Sequence, residues 1–80
     1  MKLQEIKIGE FFAIENTKSY PKLRTEYGYI DVRDEIKKEC KDLPWELSLM
    51  TDDEILKGFG EKYGFTKAEI SKLKKELLIK

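Results

Sequence analysis

Apolar and polar residues alternate along parts of the first fifty positions in the pattern of strands that bury one face. In residues 29–33, "YIDVR", the alternation puts Ile30 and Val32 on one side of an extended chain. We expect Leu23, in the preceding short run, to join them on the buried side of an antiparallel sheet. The residues expected on the opposite, solvent-facing side are Tyr29, Asp31 and Arg33.

Two more segments, on either side of this pair of runs, have the pattern of strands. Residues 10–15 place Phe12 and Ile14 on one face of an extended chain. Residues 45–50, "WELSLM", alternate in the same way, and Trp45 leads their apolar face. We expect this tryptophan to anchor the core where the sheet meets the helices.

The segment at residues 34–42, "DEIKKECKD", has no single interpretation. It is compatible with one or two turns of helix in which Ile36 and Cys40, four residues apart, both face inward. A loop over the same residues is the alternative, and Pro44 would end either one.

The C-terminal part of the chain has the strongest local signals, and they predict two helices. Thr51 with Glu54, and Thr66 with Glu69, each form the pattern of a capping box, which satisfies backbone amides at the start of a helix. Gly64 stands where a helix needs a left-handed residue to end. The apolar stripes are Ile55, Phe59 and Tyr63 on the first helix and Ile70, Leu73 and Leu77 on the second.

These elements predict one domain over residues 1–80, of the α+β class. Residues 1–50 are mainly β, and residues 51–80 form a helix-turn-helix-like hairpin; each part alone is too small to bury its apolar face. We therefore expect a small, twisted antiparallel β-sheet packed against a C-terminal helical hairpin. An SH3-like half-barrel is one form that this sheet can take.

Composition excludes several chemistries. The chain has no histidine, which removes His-based acid–base catalysis and most zinc, copper and haem sites. Asp31, Asp34 and Glu35 cluster, but an arginine stands among them and the loop lacks the glycine of a calcium site. We expect no enzymatic activity, no cofactor and no metal.

The same composition favours a cytoplasmic location. The single cysteine, Cys40, cannot form an internal disulfide, which is typical of a reducing compartment. No apolar run approaches the roughly 20 residues that span a bilayer, and the first ten residues lack the apolar stretch of a secretory signal. We expect no contact with a membrane.

Charge weakens the case for nucleic acid overall but not locally. The 16 cationic and 16 anionic side chains cancel, and a dedicated polyanion binder is usually basic. Only Arg24 and Arg33 are arginines, whereas arginine is preferred for bidentate recognition of phosphates and guanine. Residues 62–80, however, carry six lysines against two glutamates, so the sign of the local charge suits DNA.

The C-terminal segment also resembles a known DNA-binding motif. Gly60 is a small residue inside the first helix, Gly64 is the turn, Phe65 is an apolar residue after it, and Thr66 is the cap of the second helix. Over Leu56–Lys75 the chain therefore resembles the helix-turn-helix. The resemblance implies that the positions facing double-stranded DNA are Thr66, Lys67, Ser71, Lys72 and Lys75. The turn is also similar to that of ubiquitin-associated-type helical modules.

The predicted solvent face of the sheet is the other candidate site. It mixes aromatic and cationic side chains, a combination that suits a partner protein and is also used by small barrels that bind single strands. The residues predicted to bind the partner are Tyr27, Tyr29, Arg33, Lys22 and Arg24. The zero net charge favours a non-enzymatic interaction module or accessory subunit with a protein partner. The alternative is a DNA-binding regulator that uses the helix-turn-helix at 56–75.

Overall fold

A computed structural model describes residues 1–15, 17 and 19–79 of the chain. Within these residues, five strands form one antiparallel sheet in the order β4–β3–β2–β1–β5. The first four strands follow one another as a meander, and the fifth returns to pair with the first. Their bounds are β1 Phe11–Ile14, β2 Lys22–Arg24, β3 Gly28–Asp31, β4 Lys37–Glu39 and β5 Leu47–Met50.

Helical segments follow β5, so the predicted α+β class is confirmed. Both predicted capping boxes form: the backbone N–H of Glu69, for example, donates to Thr66 Oγ1 at 3.3 Å, and the N–H of Thr66 donates to Glu69 Oε1 at 3.2 Å. Gly64 has the predicted left-handed conformation, with φ of 76°. The segments are α1 Asp52–Ile55, a π-helical stretch Leu56–Gly60, α2 Glu61–Tyr63 and α3 Lys67–Ile79.

The sheet is covered on both faces, and this explains the main error of the strand pattern. Phe11 and Phe12 are adjacent in β1, point to opposite faces, and are both buried. One face packs against the helices. Residues buried in this helical-side core include Phe11, Leu23, Ile30, Val32, Ile55, Phe59, Ile70 and Leu77. The other face packs under a short 3₁₀ turn at Leu3–Glu5, and residues buried in this N-terminal core are Leu3, Ile6, Phe12, Tyr29 and Leu47.

The predicted solvent-facing position of Tyr29 is therefore wrong. The side chain is only 7% exposed and lies in the N-terminal core, where its ring meets that of Phe12 edge to face with 6.0 Å between the ring centroids. The buried side predicted for Ile30, Val32 and Leu23 is correct. Alternation identified the two faces of the strand, but tyrosine is apolar enough to be buried when a second layer covers its face.

The ambiguous segment at residues 34–42 contains the edge strand β4, which neither sequence interpretation included. Its three residues, "KKE", are all exposed, so the sequence has no apolar periodicity there that would predict a strand. Ile36 is also exposed, against the prediction, and Cys40 is half-buried. Pairing with β3 is what makes this segment extended.

Trp45 does not anchor the core. It is 48% exposed and precedes β5, whose buried residues are Leu47 and Met50. These two side chains enter the N-terminal core and the helical-side core respectively, and Leu49 between them is exposed. Because β5 is an edge strand, the layers that cover the sheet leave part of its apolar face open.

Candidate binding cleft

A cleft of about 250 Å³ opens where the end of β3 meets the turn between α2 and α3. Arg33 and Glu35, which follow β3, contribute its polar rim. The apolar residues that line it are Val32, Phe59, Tyr63, Phe65 and Leu73.

Two glycines bring the walls of the cleft together. Gly64 turns the chain in the left-handed conformation, so that the backbone N–H of Phe65 donates to the carbonyl oxygen of Gly60 at 2.7 Å. A Cβ atom on Gly60 would lie 3.0 Å from Ile70 Cδ1 and 3.2 Å from the Phe65 carbonyl oxygen. The close approach of the turn and of α3 to the preceding helical segment thus depends on the missing side chain at Gly60.

The turn arranges three aromatic rings from the core to the surface. Phe59 is buried, and the ring of Phe65 stacks on it with 5.5 Å between centroids and 15° between planes. The ring of Tyr63 also packs on that of Phe59, with 4.8 Å between centroids, and the Tyr63 side chain is 41% exposed. Aromatic pairs at these distances are stabilising by about 0.5–1.5 kcal/mol each. Tyr63 and part of Phe65 present an aromatic surface to solvent.

Cations lie over the aromatic rings beside the cleft. Arg33 Cζ is 5.1 Å from the ring centre of Tyr20, and Lys62 Nζ is 5.8 Å from the same ring and 5.7 Å from that of Tyr63. Across the described residues, the ion pairs do not include either cation. The cleft therefore has two cations beside it that form no ion pair with a carboxylate of residues 1–15, 17 and 19–79.

A second depression of about 210 Å³ adjoins the cleft along α3. Phe65 and Leu73 line both, so the apolar surface continues from one to the other. The charged residues around the second depression are Glu69, Lys72 and Glu76.

The residues predicted from sequence to bind a partner do not all share one surface. Arg24 and Tyr27 line one depression together, whereas Arg33 lines the cleft. Tyr29 is buried, and burial, followed by the charges of Cys40 and Asp31, raises the pKa of its hydroxyl. Arg24 donates from Nε to the Leu3 carbonyl at 3.1 Å and from Nη1 to the Gly28 carbonyl at 2.8 Å. Its guanidinium therefore ties the N-terminal turn to the β2–β3 hairpin.

Of the other predicted partner residues, Lys22 is paired within the sheet, and Arg33 lies away from the depression that Tyr27 shares with Arg24. Lys22 Nζ donates to Asp31 Oδ2 at 2.9 Å, the cross-strand pair that the register of β2 and β3 favours. Burial raises the pKa of Asp31, but the hydrogen bond and charge of Lys22, with two backbone N–H groups, outweigh it and leave the pKa below 3.8. Tyr27, 65% exposed, and Arg33 lie at opposite ends of β3, and only Arg33 reaches the cleft.

The five residues predicted to face DNA are all exposed on the α2–α3 turn and on α3: Thr66, Lys67, Ser71, Lys72 and Lys75. A neighbouring lysine is not available on that side, because Lys74 Nζ lies 3.7 Å from Asp52 Oδ1 and 4.8 Å from the ring centre of Phe11. Thr66 is also occupied in part, since its hydroxyl donates to Glu69 Oε1 at 3.0 Å.

The described ranges, 1–15, 17 and 19–79, contain neither a metal-type cluster nor a membrane-spanning helix. No group of three or more His, Cys, Asp or Glu residues there has the arrangement of a metal site. No helix in those ranges is long and apolar enough to cross a bilayer.

Sequence reasoning missed the cleft because its two sides are distant in the chain. Phe65 and Tyr63 were recognised as apolar residues of the helical segment, and Arg33 as a surface cation, but nothing in the spacing joins residues 32–35 to residues 59–73. Comparison with models of protein families, with curated proteins and with solved structures found no match to this chain.

Proposed function

We propose that the protein is a non-enzymatic interaction module that binds a short segment of a partner protein by seating an apolar side chain in the cleft. The observation that carries the proposal is the aromatic stack of Phe59, Phe65 and Tyr63, which ends at solvent beside two cations. Exposed aromatic residues next to arginine are typical of binding hot spots. We further propose that the module acts in the cytoplasm, where its single cysteine stays reduced.

The size of the cleft supports a side chain rather than a metabolite. Small-molecule sites usually enclose roughly 300–1,000 Å³. This cleft is smaller, at about 250 Å³, and it continues along α3 into the second depression. An extended or helical peptide would place one anchor in the cleft and run along Phe65 and Leu73.

We also propose that the sheet is an SH3-like half-barrel and that the C-terminal segments form a helical hairpin. An SH3-like half-barrel is supported by the four-strand meander with β5 returning to β1, and a helical hairpin is supported by the turn at Gly64. The cleft lies between the sheet and the helical segments. Residues 32–35 form one wall and residues 59–73 the other, so neither part alone would form the cleft.

Selection of peptides from a random 12-residue phage-displayed library against the folded protein tests the proposal. The enriched peptides are then measured by fluorescence polarisation with wild type and Tyr63→Ala. Loss of a hot-spot tyrosine weakens binding by about 30-fold, whereas Tyr63→Phe retains the ring and stays within about threefold.

Trp45→Ala is the matched control, because Trp45 has similar exposure and does not line the cleft. Circular dichroism confirms that each variant is folded. Enrichment of no peptide, or equal affinity for wild type and Tyr63→Ala, contradicts the proposal.

A DNA-binding regulator is the second candidate, favoured by one observation. Gly60 lies directly under Ile70 and the Phe65 carbonyl, which is the close crossing that the helix-turn-helix resemblance requires. Under this proposal, polarisation of a labelled duplex shifts with micromolar protein at ~50 mM salt, and Lys72→Glu abolishes the shift. Absence of any shift from the wild-type protein rules this candidate out.

A further inference from the structure

The charges beside the cleft narrow the chemistry of its ligand. Resting on the proposed function, we infer that the bound segment carries acidic side chains next to its apolar anchor. Arg33 and Lys62 would meet those carboxylates while the anchor occupies the space beside Tyr63.

The geometry of Arg33 is suited to this role. Arg33 Cζ lies 5.1 Å from the ring centre of Tyr20, a cation–π contact that involves no hydrogen bond. A guanidinium carries five N–H donors in a planar fork that matches the geometry of a carboxylate. Tyr20 therefore holds Arg33 in position without consuming its hydrogen-bonding capacity.

Lys62 adds a second positive group at the same place. Its ammonium lies within 6 Å of the ring centres of both Tyr20 and Tyr63. Both cations thus adjoin Tyr20, and the ion pairs among the described residues leave both without a carboxylate. An acidic ligand would supply the missing counter-charge.

The acidic residue on the rim does not favour a basic ligand instead. Glu35 lines the cleft, but it already interacts within the fold. A basic segment would have to compete for Glu35 and would also lie against Arg33 and Lys62, two like charges, which is unfavourable on both counts.

The test uses the selected 12-residue peptides themselves. Peptides whose binding depends on Tyr63 should share an apolar residue flanked by Asp or Glu. Arg33→Glu should weaken their binding about fivefold, since exposed charge pairs contribute modestly and reversal adds repulsion. Lys62→Gln should weaken it about twofold. Raising the salt from ~50 to ~500 mM should weaken it further.

Lys7→Glu is the matched control: it makes the same change from a cation to an acid, on an exposed residue that does not line the cleft. It should leave the affinity within about twofold. A second selection, performed against Arg33→Glu, should no longer enrich acidic peptides.

The outcomes separate the inference from the function on which it rests. Peptides that require Tyr63 but are neutral or basic, or that bind Arg33→Glu and wild type equally, overturn the inference and leave the interaction module standing. If no peptide requires Tyr63, the proposed function fails and the inference fails with it.

Discussion

The backbones of β3 and β4 approach each other closely at Gly28, and substitution of this residue tests the edge strand that sequence reasoning missed. In Gly28→Ala, an ideally placed Cβ would lie 2.1 Å from the Lys38 carbonyl oxygen and 2.9 Å from both Cys40 N and Glu39 Cα. All three atoms belong to the backbone, so no side-chain rotation relieves the contact. The start of β3 and the end of β4 must therefore move apart.

The cost of that movement follows from what holds the strands together. Separation weakens the β3–β4 ladder and the adjoining bond from Cys40 N to the Tyr27 carbonyl, which is 3.0 Å long. Two such bonds contribute about 1–3 kcal/mol, and overpacking costs typically another 1–3 kcal/mol. We expect Gly28→Ala to lower the free energy of unfolding by about 3 kcal/mol or more, against a total of about 4–12 kcal/mol for a chain of this size.

Gly64→Ala is the matched control, because its cost has a different origin. Gly64 has φ of 76°, and a Cβ there would meet no atom within 4 Å. Only the left-handed conformation is penalised, by about 1–2 kcal/mol. Urea denaturation followed by circular dichroism at 222 nm gives both values. If Gly28→Ala costs no more than Gly64→Ala, β4 does not pair with β3 as described.

Asp31, in β3, and Thr25, directly after β2, give further predictions. Asp31→Asn should cost about 1 kcal/mol at pH 7, the upper range for a partly exposed pair, because it removes the charge that faces Lys22. The folded-state pKa of Asp31 is lowered, so this stabilisation is present above pH 3.8 and is lost as pH falls through the lowered pKa; the two proteins should converge in urea titrations at acidic pH. Thr25→Val should raise the free energy of unfolding by up to about 1 kcal/mol, because the buried Thr25 hydroxyl has no hydrogen-bond partner among residues 1–15, 17 and 19–79. A loss of stability would show that this hydroxyl does have one.

The helices could be predicted because their signals are local. The caps at Thr51 and Thr66 and the left-handed Gly64 each depend on a few neighbouring residues, and all three occur as predicted. The π-helical stretch was not predicted. Its only local signal is the pair of glycines at 58 and 60, and glycines in a helical segment are equally compatible with a π-helical turn and with a broken helix.

Strands β1, β2, β3 and β5 were predictable in position but not in environment, whereas the exposed edge strand β4 was missed. Alternation separates the two faces of β3, yet it does not reveal that the N-terminal turn covers the second face and buries Tyr29. Trp45 illustrates the converse: a large apolar residue at the edge of a sheet is exposed when no layer extends over it. Both outcomes depend on contacts between residues far apart in the chain.

The candidate cleft was unpredictable for the same reason. Its aromatic wall comes from the helical segment, and Arg33 comes from the end of β3. Each part was identified separately, but only the packing of the helices on the sheet brings Arg33 and Tyr63 to one place.

The most direct test of the cleft as a docking site is a ¹H–¹⁵N shift-perturbation map of the folded protein with the tightest selected peptide. The largest shifts should occur at Val32, Tyr63, Phe65 and Leu73, with smaller ones on the outer side of α3. Shifts concentrated instead on β5 or on the exposed lysines of α3 would contradict the account.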